Sequence, residues 1–217
     1  MYDHLAQVLL AGIVLLAFNA QAAPFPDPKI DDTRAPQKSI RKAVFAGGCF
    51  WCTEAVFEYV DGVDKVVSGY SGGTKETADY ESVSTGRTAH AEAIEISYDA
   101  SKITYGQLLK VFFEIAHDPT TLNRQGPDTG PQYRSAVFAL DANQKRIVQS
   151  YIAQLDAAKA FRSKIVTEVA DFKAFYEAEG YHQNYCTRNP RNPYVMFNAQ
   201  PKVEKLKKSK PGLLKKK

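Results

Sequence analysis

Ala43-Val44-Phe45-Ala46-Gly47-Gly48-Cys49-Phe50-Trp51-Cys52-Thr53-Glu54 is the stretch on which the reading of this chain turns. Its first four residues read as a short buried strand. Beyond the cysteines, Ala55, Val56, Tyr59 and Val60 recur at helical spacing until Asp61-Gly62 stops the helix. Cys49 therefore lies where a strand turns through two glycines into a helix N-terminus. Unpaired N–H groups and the positive end of the helix dipole are expected to stabilise a thiolate there and lower its pKa. Phe50 and Trp51 set two aromatic faces beside the sulfur, an environment suited to redox chemistry on a small apolar group. The plainer alternative is a cysteine that serves only as a small buried hydrophobe; the double glycine and the helix start favour the reactive reading.

Working outward, Val63 to Ser71 reads as a second strand that runs into the turn Ser71-Gly72-Gly73. Lys75 to Arg87 is polar and loop-like, with Tyr80 its large aromatic residue. Ala91 to Tyr98 alternates as a strand. Thr104-x-x-Gln107 is a capping box for a helix carrying Leu108, Leu109, Val111, Phe112 and Ile115, ended by Asp118-Pro119. The Gly-, Pro-, Asn- and Asp-rich loop that follows reaches Gly130-Pro131, and loops of that length are usually functional. Tyr133 to Leu140 reads as a strand, Asp141 to Ala160 as a helix capped at Asp141, and Ile165 to Val169 as a short strand. Phe172 to Tyr185 is aromatic-rich and expected to be helical in part, and Asn189-Pro190 and Asn192-Pro193 are expected to end the regular structure. Interleaved strands and helices imply an α/β (α+β) fold: one two-layer sandwich of helices on a mixed, mostly antiparallel, ferredoxin-like sheet with long loops around the site.

The 217 residues, 44% hydrophobic and 12% aromatic, suit one domain with a full core. The formal charge of +4 is unevenly placed, because eight of the 28 basic residues fall in Lys202–Lys217 and leave the body near neutral. That balance argues against nucleic acid as the partner. Residues 1–22 carry an apolar run from Leu9 to Phe18 ending in Ala20-Gln21-Ala22, which reads as a signal peptide without the usual basic start, or as an uncleaved N-terminal anchor. Residues 23–38, with Pro24, Pro26, Pro28 and Pro36, read as a flexible, Pro-rich linker; residues 39–201 as the catalytic domain; residues 202–217 as a basic disordered tail with weak affinity for anionic surfaces. A periplasmic or secreted protein is expected. The three cysteines, Cys49, Cys52 and Cys186, are too few and odd in number for a structural disulfide framework, and with four scattered His they give no metal-site spacing.

Five separated motifs carry a resemblance. Gly48-Cys49-Phe50-Trp51, Ser68-Gly69-Tyr70-Ser71-Gly72-Gly73, His90-Ala91-Glu92-Ala93, Gln132-Tyr133-Arg134-Ser135-Ala136 and Glu179-Gly180-Tyr181-His182-Gln183-Asn184-Tyr185 fall in the order seen in A-type peptide methionine sulfoxide reductases. The match spans roughly residues 41–194. The resemblance implies thiol-dependent reduction of the S epimer of methionine sulfoxide, free or in proteins, without metal or organic cofactor. It makes Cys49 the nucleophile and Glu92 the acid, whose pKa desolvation would raise. It assigns Tyr80 and Tyr133 to the sulfoxide oxygen and Asp128 to ordering the site. Phe50 and Trp51 would cradle the S-methyl group, with Tyr185 lining the same pocket.

Turnover would leave Cys49 as a sulfenic acid that condenses with a second thiol. Cys52, one helical turn on, lies within the ~5–6 Å Cα separation a disulfide needs and is favoured; Cys186, beside Tyr185, is the alternative. Either disulfide would need a thioredoxin-like dithiol. A monomer acting on oxidised proteins is expected. His182 reads as structural, and Glu54 as a first-turn acid favoured by the helix dipole. Two other classes compete: a general thiol–disulfide oxidoreductase built on Cys49-x-x-Cys52, and a non-catalytic aromatic cage of Trp51, Tyr80, Tyr133 and Tyr185.

Overall fold

A computed structural model describes residues 25–216. The leader over residues 1–22 lies outside the described residues. In chain order the elements are β1 (Ile40–Gly47), α1 (Phe50–Phe57), β2 (Val63–Ser71), α2 (Tyr80–Ser84), β3 (Ala91–Asp99), α3 (Tyr105–Val111), β4 (Arg124–Gln125), β5 (Asp128–Thr129), β6 (Ser135–Ala139), α4 (Ala142–Ala157), β7 (Glu168–Asp171), β8 (Phe175–Glu177), α5 (Tyr185–Arg188) and α6 (Gln200–Ser209).

Six strands form one sheet in the order β7-β6-β1-β3-β2-β8. Only β6 and β7 pair in parallel; the other neighbours are antiparallel. The middle four, β6-β1-β3-β2, have the expected ferredoxin-like order, with α1 in the first crossover. Side chains alternate across each strand, so Phe45, Ile94, Ile96 and Val137 join α1, α3 and α4 in the main core. Val44, Ala46, Ala91, Ala93, Ala136 and Phe138 form a smaller cluster on the other face, closed by Phe172 and Phe175. The same parity turns Glu92 toward the helical layer.

Local signals set the helix starts. Thr104 and Gln107 form the capping box of α3, and Asp141 caps α4 through the Gln144 amide (2.8 Å). Beyond α3 the chain continues in a π-helical turn over Phe112–Ala116. His117 ends it by donating Nδ1–H to the Phe112 carbonyl (3.0 Å) while accepting from Ser135 (2.7 Å). Burial drives its pKa down to about 3, so this histidine is a neutral structural link.

Several expectations need correction. The stretch 75–87 is not all loop: Asp79 caps α2 by accepting from the Ser82 amide (2.9 Å), which sets Tyr80 at the helix start. Between Phe172 and Tyr185 there is an edge strand, β8, rather than a helix. The loop after Pro119 holds the β4–β5 hairpin around Gly126.

Both ends of the domain are folded against it. In the Pro-rich segment Phe25 packs edge-on against Phe161 (5.7 Å), and Tyr151 donates to the Pro26 carbonyl (2.6 Å). Asp31 accepts from the Thr104 hydroxyl (2.5 Å) and the Gly106 amide (2.7 Å). Prolines keep that backbone extended, leaving its carbonyls and carboxylates free to bind α3 and α4. Regular structure also continues past Pro193: a π turn over Val195–Ala199 leads into α6, and Leu214 bridges back to Val60. Over residues 202–216 the basic tail is therefore ordered against the domain. Val203 and Leu206 recur at helical spacing among the lysines and are buried in the core, while Lys205 donates to the Glu114 carbonyl and Lys210 pairs with the Glu114 carboxylate (2.8 Å). Leu206→Ala should lower unfolding stability by about 2–4 kcal/mol in urea titration, where a detached tail would give no change.

Candidate active site

The site begins with a steric demand at the turn between β1 and α1. Gly48 has φ +84°, and a Cβ there would meet Gln125 Cβ and Cγ at 2.5 Å. Glycine lets the β4–β5 hairpin close over the turn. Gln125 is itself held, accepting from the Asp118 amide and donating to the Asp118 carbonyl. Cys49 then occupies the N-cap of α1.

Three amides at the start of α1 are spent within the protein. Phe50 N–H donates to Glu92 Oε2 (3.0 Å), and the Cys52 and Thr53 amides turn back to the Cys49 carbonyl (3.1 and 3.4 Å). The expected lowering of the Cys49 thiol is accordingly overridden. Burial pushes Cys49 up, helped by Cys52 and Glu92, with only the Tyr194 hydroxyl acting the other way. Cys52 is pulled down by the Cys49 thiol donating to it and by the Lys202 charge, against its own burial. The two sulfurs thus titrate as a pair sharing a proton.

Glu92 is 3% exposed, and burial raises its carboxyl to about 8 against the bond from Phe50. It is neutral at pH 7. Burial also raises the Tyr133 hydroxyl, with Glu92, Asp128, Cys49 and Tyr80 acting in the same direction. Tyr80 is raised by burial, Glu92 and Cys49. Five of the expected residues, Cys49, Glu92, Tyr80, Tyr133 and Asp128, therefore share one electrostatic site. Glu179 fixes Tyr80 by accepting its amide (2.9 Å) while the Tyr70 hydroxyl donates to the other oxygen (2.9 Å).

The aromatic wall has an order the sequence does not specify. Trp51 stacks on Tyr185 at 3.7 Å and 7°, and its indole N–H donates to His182 Nδ1 (3.1 Å). That bond fixes the neutral Nε2–H tautomer of His182, whose pKa burial lowers. Phe50 is fully buried between Tyr70 and His182. Cys186 donates to the Trp51 carbonyl (3.3 Å), is pushed by burial up to about 12, and lines a separate cavity of about 320 Å³ with Ala55, Tyr59 and Val203.

The family model for peptide methionine sulfoxide reductase matches residues 41–213. The chain belongs to this family. It is 55% identical over 184 residues to peptide methionine sulfoxide reductase MsrA 2 of Mesorhizobium japonicum, covering 85% of this chain and 93% of the relative. With MsrA 2 of Synechocystis sp. it shares 50% over 202 residues, covering 90% and 94%. Among solved structures it is similar to reduced Mxr1 of Saccharomyces cerevisiae (TM-score 0.65, 35% identity, 76% of this chain and 92% of that one). It is also similar to methionine sulfoxide reductase A of Corynebacterium diphtheriae (TM-score 0.62, 36% identity, 72% and 78%). The protein is an enzyme of thiol-dependent methionine sulfoxide reduction, which decides against both the general oxidoreductase and the aromatic cage.

Within this reductase the sequence reading passed over Tyr194. Its hydroxyl donates to Asp128 Oδ2 (2.5 Å) and lies 3.9 Å from Cys52 Sγ, with its ring edge-on to Trp51. An aromatic just after Asn192-Pro193 carries no periodicity that would place it here. Glu54 also differs from expectation. It is 1% exposed, accepts from the Asn184 amide (3.1 Å), and burial lifts its pKa to about 7. Its folded pKa exceeds the ordinary ~4.3, so the folded state holds the extra proton and stability falls as pH rises between those values. Glu54→Gln should remove that fall, leaving the variant about 1–3 kcal/mol less pH-dependent than wild type in denaturant titrations across the interval.

Proposed function

We propose that Cys49 attacks the sulfur of methionine S-sulfoxide while Glu92 protonates its oxygen. The observation that carries this reading is the neutral, buried Glu92 bound to the Phe50 amide, one residue from the Cys49 sulfur. The attacking form of the thiol pair has its charge on Cys49 and its proton on Cys52. The thiolate bonds to the substrate sulfur as Glu92 gives its proton to the oxygen; the protonated oxygen then passes to the Cys49 sulfur, and both the substrate S–O bond and the new S–S bond break. The products are methionine, Cys49 sulfenic acid and a Glu92 carboxylate. The phenols of Tyr80 and Tyr133, held protonated by burial, support the oxygen as donors. The stacked faces of Trp51 and Tyr185, with Phe50 behind them, offer the S-methyl group an apolar wall.

Cys52 then resolves the sulfenic acid. It lies one turn along α1 from Cys49 and the two thiols perturb each other, whereas the Cys186 thiol is turned to the Trp51 carbonyl. A thioredoxin-like dithiol reduces the resulting disulfide, and no metal or organic cofactor takes part. The segment 1–22 supports export, with cleavage near Ala22 or retention as an anchor. Cell fractionation of the full chain against one lacking residues 1–22 should move the protein from outside the cytoplasm to within it; equal distribution would remove the export reading.

Single-turnover assays on separated sulfoxide epimers test the chemistry. Wild type should reduce only the S epimer with loss of two thiols, Cys52→Ser with loss of one, and Cys49→Ser not at all. Glu92→Gln should lose about 10²–10⁴-fold in rate. Because the reactive carboxyl is the protonated one, the wild-type rate should decline as pH rises through about 8, a limb that Glu92→Gln lacks. Equal rates for Glu92→Gln and wild type would remove Glu92 as the acid.

A further inference from the structure

Oxygen transfer leaves a difficulty for the step that follows it. While Cys49 is a thiol it donates to Cys52 and favours the Cys52 thiolate. Once Cys49 is a sulfenic acid that donor is consumed, and the proton of the pair is on Cys52. A buried thiol is then asked to act as a nucleophile; the Glu92 carboxylate left by the first step is held by the Phe50 amide, and the thiol itself is hydrogen-bonded to one side-chain neighbour. That neighbour is Tyr194. Cys52 S–H points at the Tyr194 oxygen (3.9 Å), and the Tyr194 hydroxyl in turn donates to Asp128 Oδ2 (2.5 Å). With the phenol proton given to the carboxylate, the Tyr194 oxygen is left to accept from the thiol.

We propose that Cys52, Tyr194 and Asp128 form a proton relay that deprotonates Cys52 for the resolving step. The proposal rests on the reading of Cys52 as the resolving thiol. Tyr194 takes the proton of Cys52 as it gives its own to Asp128, so the phenol is never an anion. The Cys52 thiolate attacks the sulfenic sulfur of Cys49, forming the S–S bond and breaking the S–O bond. The leaving hydroxide takes up the transferred proton and departs as water, restoring the Asp128 carboxylate. The net change is one thiol and one sulfenic acid converted to one disulfide and one water, with no outside oxidant.

The surroundings fit each member of the relay. Burial and the two neighbouring cysteines hold Tyr194 protonated, which a carrier needs and a phenolate base would not. Burial raises Asp128, making it a readier acceptor than an exposed carboxylate. Lys202, on the first turns of α6, favours the anionic form of both Cys52 and Asp128, so the charge stays within its field wherever the proton lies. Tyr194 itself is held by the π turn leading into α6 and by the edge of the Trp51 ring.

Quenched single turnover on methionine S-sulfoxide, following methionine release and loss of the second thiol separately, tests the relay. In Tyr194→Phe the second event should slow relative to the first by about tenfold or more near pH 7. That deficit should shrink toward about pH 9, where solvent deprotonates Cys52 directly. Asp128→Asn should show the same pH-dependent lag. A ring needed only for packing would slow disulfide formation equally at every pH, and that result would overturn the relay, as would an unchanged ratio of the two events. Mapping the wild-type disulfide separates the failures. A Cys49–Cys52 bond with no lag in either variant removes the relay alone; a Cys49–Cys186 bond removes Cys52 as resolver and the relay with it.

Discussion

One hydrogen bond joins the two halves of the site: the Phe50 amide, at the start of the first helix, donates to the carboxyl of Glu92 in the central strand. It requires the helix to begin directly after the paired glycines and Glu92 to face the helical layer. It also requires both groups to be out of water. The bond spends a first-turn amide on the acid rather than on the sulfur beside it. Everything else in the site is arranged around a carboxyl that must be both held and kept neutral.

Burial is the means by which that is done. Desolvation raises Glu92, Cys49, Tyr80, Tyr133 and Asp128 together, because one shared apolar wall removes water from all of them. A site rich in neutral donors results, suited to a polar sulfoxide oxygen carried on an apolar side chain. The helix dipole is too weak to counter this at the sulfur, being worth about 0.3–1 kcal/mol at an ordinary terminus. The thiol pair solves the same problem by sharing its proton between two sulfurs, and Lys202 brings a positive charge to bear on it from α6.

The C-terminal segment completes what the first helix begins. Tyr185 stacks on Trp51, Asn184 satisfies the buried Glu54, and Tyr194 bridges Asp128 and Cys52. These contacts hold because Val203 and Leu206 anchor α6 in the core. Of the lysines that dominate that stretch by count, Lys205 and Lys210 reach Glu114 and Lys207 lies over the Tyr59 ring, while the buried apolar residues carry the packing.

The sequence by itself determined the strand–glycine–helix element around Cys49, the capped helices at Thr104 and Asp141, the α/β class and, through five ordered motifs, the family. Those features are local or periodic, so short-range sterics and hydrogen bonding declare them. It did not determine that Cys49 would be raised rather than lowered, because the sign depends on how deeply the fold buries the thiol and on Glu92 being brought beside it. Nor did it place Tyr194, reveal the burial of Glu54, or show that the Pro-rich and lysine-rich ends fold onto the domain. Each of those depends on contacts between residues far apart in the chain: Asp31 with Thr104, Gln125 with Gly48, Tyr194 with Asp128. Composition describes what a segment could do in water, and only the tertiary structure decides how much water it meets.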